Sequence, residues 1–154
     1  MLPALTVVVC EDGTEYIDRF RRFLAGLTGP HTRFVPAHDY AEAKAAAAGA
    51  QGILLDLDFR RTAADRLVDE HGPVPTTVEA ARRARLAESQ GILILRRLRA
   101  EGIRLPAILF ADLDDQGQAR FLESTLAPLV IASGRLGLPE IAALVRAFDP
   151  AADA

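Results

Sequence analysis

Five short apolar runs recur along the chain: LTVVVC (5–10), TRFVPA (32–37), GILLDLD (52–58), LPAILFAD (105–112) and APLVIA (127–132). Runs that are apolar throughout, rather than at alternate positions, belong to strands buried on both faces, which requires a parallel sheet covered by helices. The segments between them have helical spacing. YIDRFRRFLAGL places Ile17, Phe20, Phe23, Leu24 and Leu27 on one stripe and is stopped by Gly29-Pro30. DYAEAKAAAAGA starts at Asp39, a residue suited to an N-cap, and ends at Gly49. GILILRRLRAEG (91–102), residues 115–126 and LPEIAALVRAF (138–148) complete the set. Strand and helix alternate five times over short connections, which predicts an α/β fold with an open, doubly wound parallel sheet. Pro36, which has no amide hydrogen to give to a ladder, places the second strand at an edge.

The 154 residues suit one domain, over 1–150, with a frayed tail at 151–154. The rhythm breaks once. Between Asp58 and Gly91 runs FRRTAADRLVDEHGPVPTTVEAARRARLAESQ, with no apolar strand. A short helix near 62–70, a turn at His71-Gly72-Pro73 and a second helix from about Thr76, opened by the capping-box pattern TTVE, are predicted. That second helix is expected to run toward the one at 91–101. A connection this long in a compact domain is usually functional or disordered; the patterning of 60–90 favours a helical, functional insertion.

Charge narrows the function classes. Eighteen basic residues against 21 acidic ones give a net charge of −3, which argues against nucleic-acid binding through bulk charge and against a polybasic membrane anchor. No apolar run approaches the ~20 residues of a membrane span. MLPALTVVVCEDG lacks the basic start of a secretory signal, and the single cysteine, Cys10, makes no internal disulfide. A cytoplasmic protein is expected. The 17 arginines against one lysine (Lys44) and the load of alanine are a bias common in GC-rich bacterial genomes.

The chemistry gathers at strand ends. In an open α/β sheet, ligands bind beyond the carboxyl ends of the strands. The first strand is closed by Glu11-Asp12 and the third by Asp56-Leu57-Asp58. If those strands are neighbours, three or four carboxylates meet in one crevice, an arrangement that repulsion makes costly without a cation or a proton. Hard oxygen donors completed by water suit Mg²⁺.

The order VVVCED…GILLDLDF…LPAILFAD…LVIAS resembles the receiver domain of two-component response regulators. The resemblance implies a flavodoxin-like sheet of order 2-1-3-4-5, with Asp56 as phosphoacceptor. It implies Glu11 and Asp12 as the metal-holding pair beside Asp56, and Asp58 lending its main-chain carbonyl to Mg²⁺. A carboxylate can attack a phosphoryl group to give an acyl phosphate once the crowded charge is neutralised. The chain departs from the family at its switch positions. Ala111 stands where the family has Ser or Thr, Ser133 where it has Lys, and Ile131 where it has an aromatic residue. Lys44 lies in the second helix, which leaves Arg135, Arg60 or Arg61 as substitute cations, though a guanidinium fork is not a lysine's point charge.

The resemblance therefore implies an atypical receiver, non-enzymatic and without a fused output domain. It would signal through protein contacts with a histidine kinase or a downstream effector, with phosphorylation of Asp56 and a homodimer across 115–148 as further expectations. The alternative is a Mg²⁺-dependent hydrolase: a Toprim-like nuclease or a haloacid-dehalogenase-like phosphatase using Glu11, Asp56 and Asp58. The orientation of Asp58 discriminates, since a two-acid nuclease needs it beside Asp56. His31, His38 and His71 have no metal-ligand spacing, and Cys10 reads as core. The rows Arg82-Arg83-Arg85 and Arg96-Arg97-Arg99 read as a solvated face or a docking surface for an acidic partner.

Overall fold

The structure is a computed structural model and describes residues 5–29, 31–75 and 77–150. The tail at 151–154, Pro30 of the helix stop and Thr76 of the capping box lie outside the described residues. The main elements are β1 (Leu5–Cys10), β2 (Thr32–Ala37), α2 (Tyr40–Ala47) and β3 (Gly52–Asp56). Between β1 and β2, α1 is one helical run of three segments, Glu15–Arg19, a π turn over Phe20–Leu24, and Ala25–Thr28. After β3 come a two-stranded hairpin, β4 (Val68–Asp69) with β5 (Gly72–Pro73), then α3 (Ala80–Glu88) and α4 (Gln90–Ala100). The chain closes with β6 (Ala107–Phe110), α5 (Gln116–Thr125), β7 (Leu129–Ala132) and α6 (Leu138–Arg146). Among the described residues no helix is long and apolar enough to cross a membrane.

Five strands form one sheet of order β2-β1-β3-β6-β7, every pair parallel. Counting only the strands of this sheet, that is 2-1-3-4-5, the flavodoxin-like order. Alternation along the strands divides the core. Val8, Cys10, Ile53, Leu55, Ala107 and Leu109 face a cluster with Ala43 of α2, Leu95 and Leu98 of α4 and Leu122 of α5. Val7, Val9, Leu54, Ile108 and Phe110 face Ile17, Phe20 and Leu24 of α1 and Ile141 and Val145 of α6. The strands are apolar throughout because both faces are covered. Asp39 caps α2 by accepting from the Glu42 amide at 2.8 Å, and Asp115 caps α5.

The insertion departs from the sequence expectation. No helix forms over 62–70. In its place stand a single 3₁₀ turn (Ala64–Arg66) and the hairpin. Asp69 is the physical reason: its Oδ1 accepts from the amides of His71 and Gly72 at 2.7 and 3.0 Å, a local bond that competes with helix formation. Gly72, at φ 143°, takes a backbone conformation that side chains disfavour. The buried Gln90 then clasps the hairpin from α4, accepting from Val68 N at 2.8 Å and donating to Val68 O at 3.0 Å. Only the second half of the insertion is helical, and α3 is separated from α4 by Ser89 alone.

This segment is packed, not solvated. Phe59, Leu67, Val68, Val74 and Ala87 are all buried in the same cluster as β1 and β3, and Phe59 N donates to Ala87 O at 2.8 Å. Gly91 lets α4 close on the end of β3. Its amide donates to Leu57 O at 3.0 Å, and a Cβ there would lie 2.0 Å from the Asp56 carbonyl oxygen. Because that neighbour is backbone, Gly91→Ala is expected to destabilise the fold by about 2–4 kcal/mol. Gly26→Ala, in α1 with nothing within 4 Å of the added methyl, is expected to be neutral or stabilising by up to ~1 kcal/mol. Urea melts of the two variants check the contrast; equal effects would contradict the packing described.

Candidate functional site

β1 and β3 are hydrogen-bonded neighbours with Cys10 opposite Leu55, so Glu11 and Asp56 leave the sheet side by side. The acids expected to meet do reach one end of the sheet, but each is already bound. Glu11 is buried, and its two carboxylate oxygens accept from the amides of Tyr16 and Ile17 at 3.0 and 2.8 Å, the first turn of α1. Burial pushes its carboxyl above the usual range despite those two bonds. Asp12 is only 5% exposed at its side chain and is held entirely by Arg61. Oδ2 accepts from the Arg61 backbone amide and Oδ1 from Nη2, both at 3.0 Å. Asp58 accepts from the backbone amide and Nε of Arg60.

Asp56 has the least support. Its Oδ1 accepts one hydrogen bond, from the Leu57 amide at 2.9 Å. Burial, followed by the charges of Asp12 and Asp58, pushes its pKa up to about 6. It lines a shallow depression of about 360 Å³ with Glu11, Glu15, Tyr16, Arg19 and Arg61. Tyr16 forms one wall, stacked on Phe110 with ring centroids 5.1 Å apart.

Of the three arginines considered as substitute cations, Arg61 lines this depression. Its Nη1 and Nη2 donate to the two oxygens of Glu15 at 2.8 and 3.1 Å. That fork holds the Glu15 carboxyl down at about 2. Arg60 is folded onto Asp58. Arg135 is exposed beyond β7, where its amide donates to Ser133 Oγ at 3.1 Å. At the switch positions, Ala111 is buried, and Ser133 Oγ donates to Asp112 Oδ1 at 2.7 Å. Ala111, Asp112, Ile131 and Ser133 line a separate hollow of about 290 Å³. Lys44 pairs with Glu101, the residue after α4.

The expected metal-holding set is Glu11, Asp12 and Asp56, with the main-chain carbonyl of Asp58. Among the described residues no three His, Cys, Asp or Glu side chains converge where a metal ion could be held. The donors are hard oxygens of the right kind. However, Glu11 is turned onto helix amides and the Arg61 guanidinium sits on Asp12, so in this arrangement a cationic side chain already holds the acid that Mg²⁺ would need. Asp58 does not line the depression either, contrary to what a two-acid nuclease requires. Glu15, Tyr16 and Arg19 were not picked out from sequence. Their only signal was position in the helix that follows the acidic pair.

No family profile matches this chain, and no curated protein matches it. Solved structures do. The receiver domain of Francisella response regulator 1452 superposes with a TM-score of 0.61 at 15% identity, covering 94% of this chain and 95% of that one. A sensor protein from Polaromonas sp. JS666 gives 0.60 at 18% identity, with 96% and 98% covered. The receiver domain of a sensor histidine kinase from Pseudomonas aeruginosa PAO1, described with a magnesium ion coordinated in its active-site cleft, gives 0.59 at 15% identity, with 95% and 98% covered. At these identities the likeness is one of fold: the chain has the receiver-domain fold.

The raised pKa of Asp56 has a consequence for stability. The folded chain holds this proton more tightly than the unfolded chain between about pH 4 and pH 6. Ionised Asp56 therefore costs stability above pH 6, and the cost vanishes below about pH 4, where both states are protonated. Asp56→Asn keeps an oxygen for the Leu57 amide and removes the charge. It is expected to stabilise the fold by about 1–3 kcal/mol at pH 8, fading to nothing near pH 4. Melts across that range check it; a variant less stable than wild type at pH 8 would contradict the assignment.

Proposed function

We propose that the chain is a receiver-like signalling module that acts through protein contacts, and that Asp56 is the residue through which a phosphoryl signal enters. The observation that carries this reading is the placement of Asp56. A weakly supported carboxylate stands at the end of the central strand of a receiver fold, in an open depression beside a guanidinium. Its oxygen would attack a phosphoryl group to form an acyl phosphate, with the donor's bond to phosphorus breaking and the donor leaving with the electron pair. A histidine kinase or another phosphodonor protein would be the source, and no catalysis beyond this self-modification is invoked.

The response is assigned to the cap at 59–91. A ligand shifts an equilibrium only by its differential affinity for two states. Ala111 has no hydrogen bond to offer a phosphoryl oxygen, Ser133 is committed to Asp112, and Ile131 has no ring to turn inward. The cap, by contrast, touches the acidic end through Arg61 and presents Arg83 and Arg85 on α3, a face suited to an acidic partner. A homodimer across 115–148 has narrower support. Phe121 of α5 and Val130 of β7 are exposed, while α6 turns Ile141, Ala142 and Val145 inward.

The test is treatment with a small-molecule phosphodonor and Mg²⁺, followed by borohydride reduction, which converts an aspartyl phosphate to homoserine. Conversion is expected at Asp56 and at no other acid, in wild type or in Arg61→Ala. Its absence from both would overturn the reading. Hydrogen exchange on the same samples is expected to change in 59–91 and to stay constant in 107–132; the reverse would put the output on the α5–β7 face.

A further inference from the structure

We infer that Arg61 is the resident cation of the acidic crevice, a built-in arginine gate that occupies the place of a divalent cation and must leave before Mg²⁺ can bind. The inference rests on the reading of this crevice as a phospho-acceptor site and deepens it by naming what controls entry. Four hydrogen bonds carry it. The Arg61 backbone amide and Nη2 take one oxygen each of Asp12 at 3.0 Å, and Nη1 and Nη2 take the two oxygens of Glu15 at 2.8 and 3.1 Å. One residue thus neutralises the acid after β1 and the first acid of α1 together, in the forked geometry that a carboxylate prefers.

The placement is built into the chain rather than left to a wandering side chain. Phe59, two residues earlier, is fully buried, and its amide is bound to Ala87 of α3, which fixes the backbone that delivers the Arg61 amide to Asp12. Gly13 leaves the room: a Cβ there would lie 2.5 Å from Arg61 Nη2 and 2.3 Å from Glu15 Oε2. Mg²⁺ demands near-octahedral oxygen ligands, and a guanidinium already seated on Asp12 sets a like charge against it, so ion and arginine compete for the same carboxylate. Yet the guanidinium is 60% exposed, and exposed ion pairs are weak, so Arg61 is displaceable rather than a permanent plug. When the gate opens, Arg61 releases Asp12 and Glu15 together. The cap is thereby coupled to the state of the crevice without the family's lysine or hydroxyl.

The test is thermal unfolding of the whole chain with about 20 mM MgCl₂ against NaCl of matched ionic strength. The expected result is a Tm rise below ~1 °C in wild type and of about 3–6 °C in Arg61→Ala, with the rise lost in Arg61→Ala/Asp12→Asn. Arg61→Gln, which keeps a polar side chain but removes the charge, is the second variant and is expected to gain as well. A wild type that gains as much as Arg61→Ala would overturn the gate while leaving the phospho-acceptor reading intact. A gain that survives Asp12→Asn would place the ion elsewhere and overturn it too. No gain in any variant would overturn both.

Discussion

Two adjacent parallel strands deliver Glu11, Asp12 and Asp56 to one end of the sheet, and the chain must offset that concentration of negative charge. It does so acid by acid. Glu11 is turned onto the first amides of α1, where the helix presents unsatisfied donors and a positive dipole end. Asp12 is given to Arg61. Burial raises the pKa of Glu11 as well, but Asp56, with a single hydrogen bond and Asp12 and Asp58 nearby, is pushed up to about 6. The proposed phosphoacceptor is thus the acid the fold leaves least compensated.

The cap that supplies Arg61 is held mainly by apolar contact. Phe59, Leu67, Val68 and Val74 are each buried to within a few per cent, and burial of such side chains contributes roughly 1.5–3 kcal/mol apiece. The arginine pairs of the cap, Arg61 with Asp12 and Arg66 with Asp39, are open to solvent on the arginine side and contribute little by comparison. The hydrophobic anchors decide that the cap stays folded, and the arginines decide where its rim sits. That division lets Arg61 move without unfolding the segment that carries it.

The sheet was legible because burial on both faces leaves an unbroken apolar run. LTVVVC and TRFVPA coincide with β1 and β2 to the residue, and Pro36 marks the edge strand. Asp56 was legible because the third run ends on it. The cap was legible only as an insertion. AADRLVDEH has the composition of a helix, but Asp69 spends its side chain on two backbone amides, and Gln90, twenty-two residues beyond Val68, fixes the resulting hairpin. Contacts at that separation leave no local periodicity to read. The same holds for Arg61, which meets Asp12 across 49 positions and Glu15 across 46. One arginine in an arginine-rich segment carries no mark of which carboxylate it will find. Nothing in the local pattern showed that Asp12, read as a metal ligand, would be met by that guanidinium.

A crystal structure grown in excess MgCl₂ tests this account most directly, because it shows which cation sits beyond β1 and β3. The account predicts Arg61 still bound to both oxygens of Asp12 and to Glu15, with no metal beside Asp56. An octahedral ion held by Asp12 and Asp56 while the Arg61 guanidinium stays bound to Asp12 would contradict it.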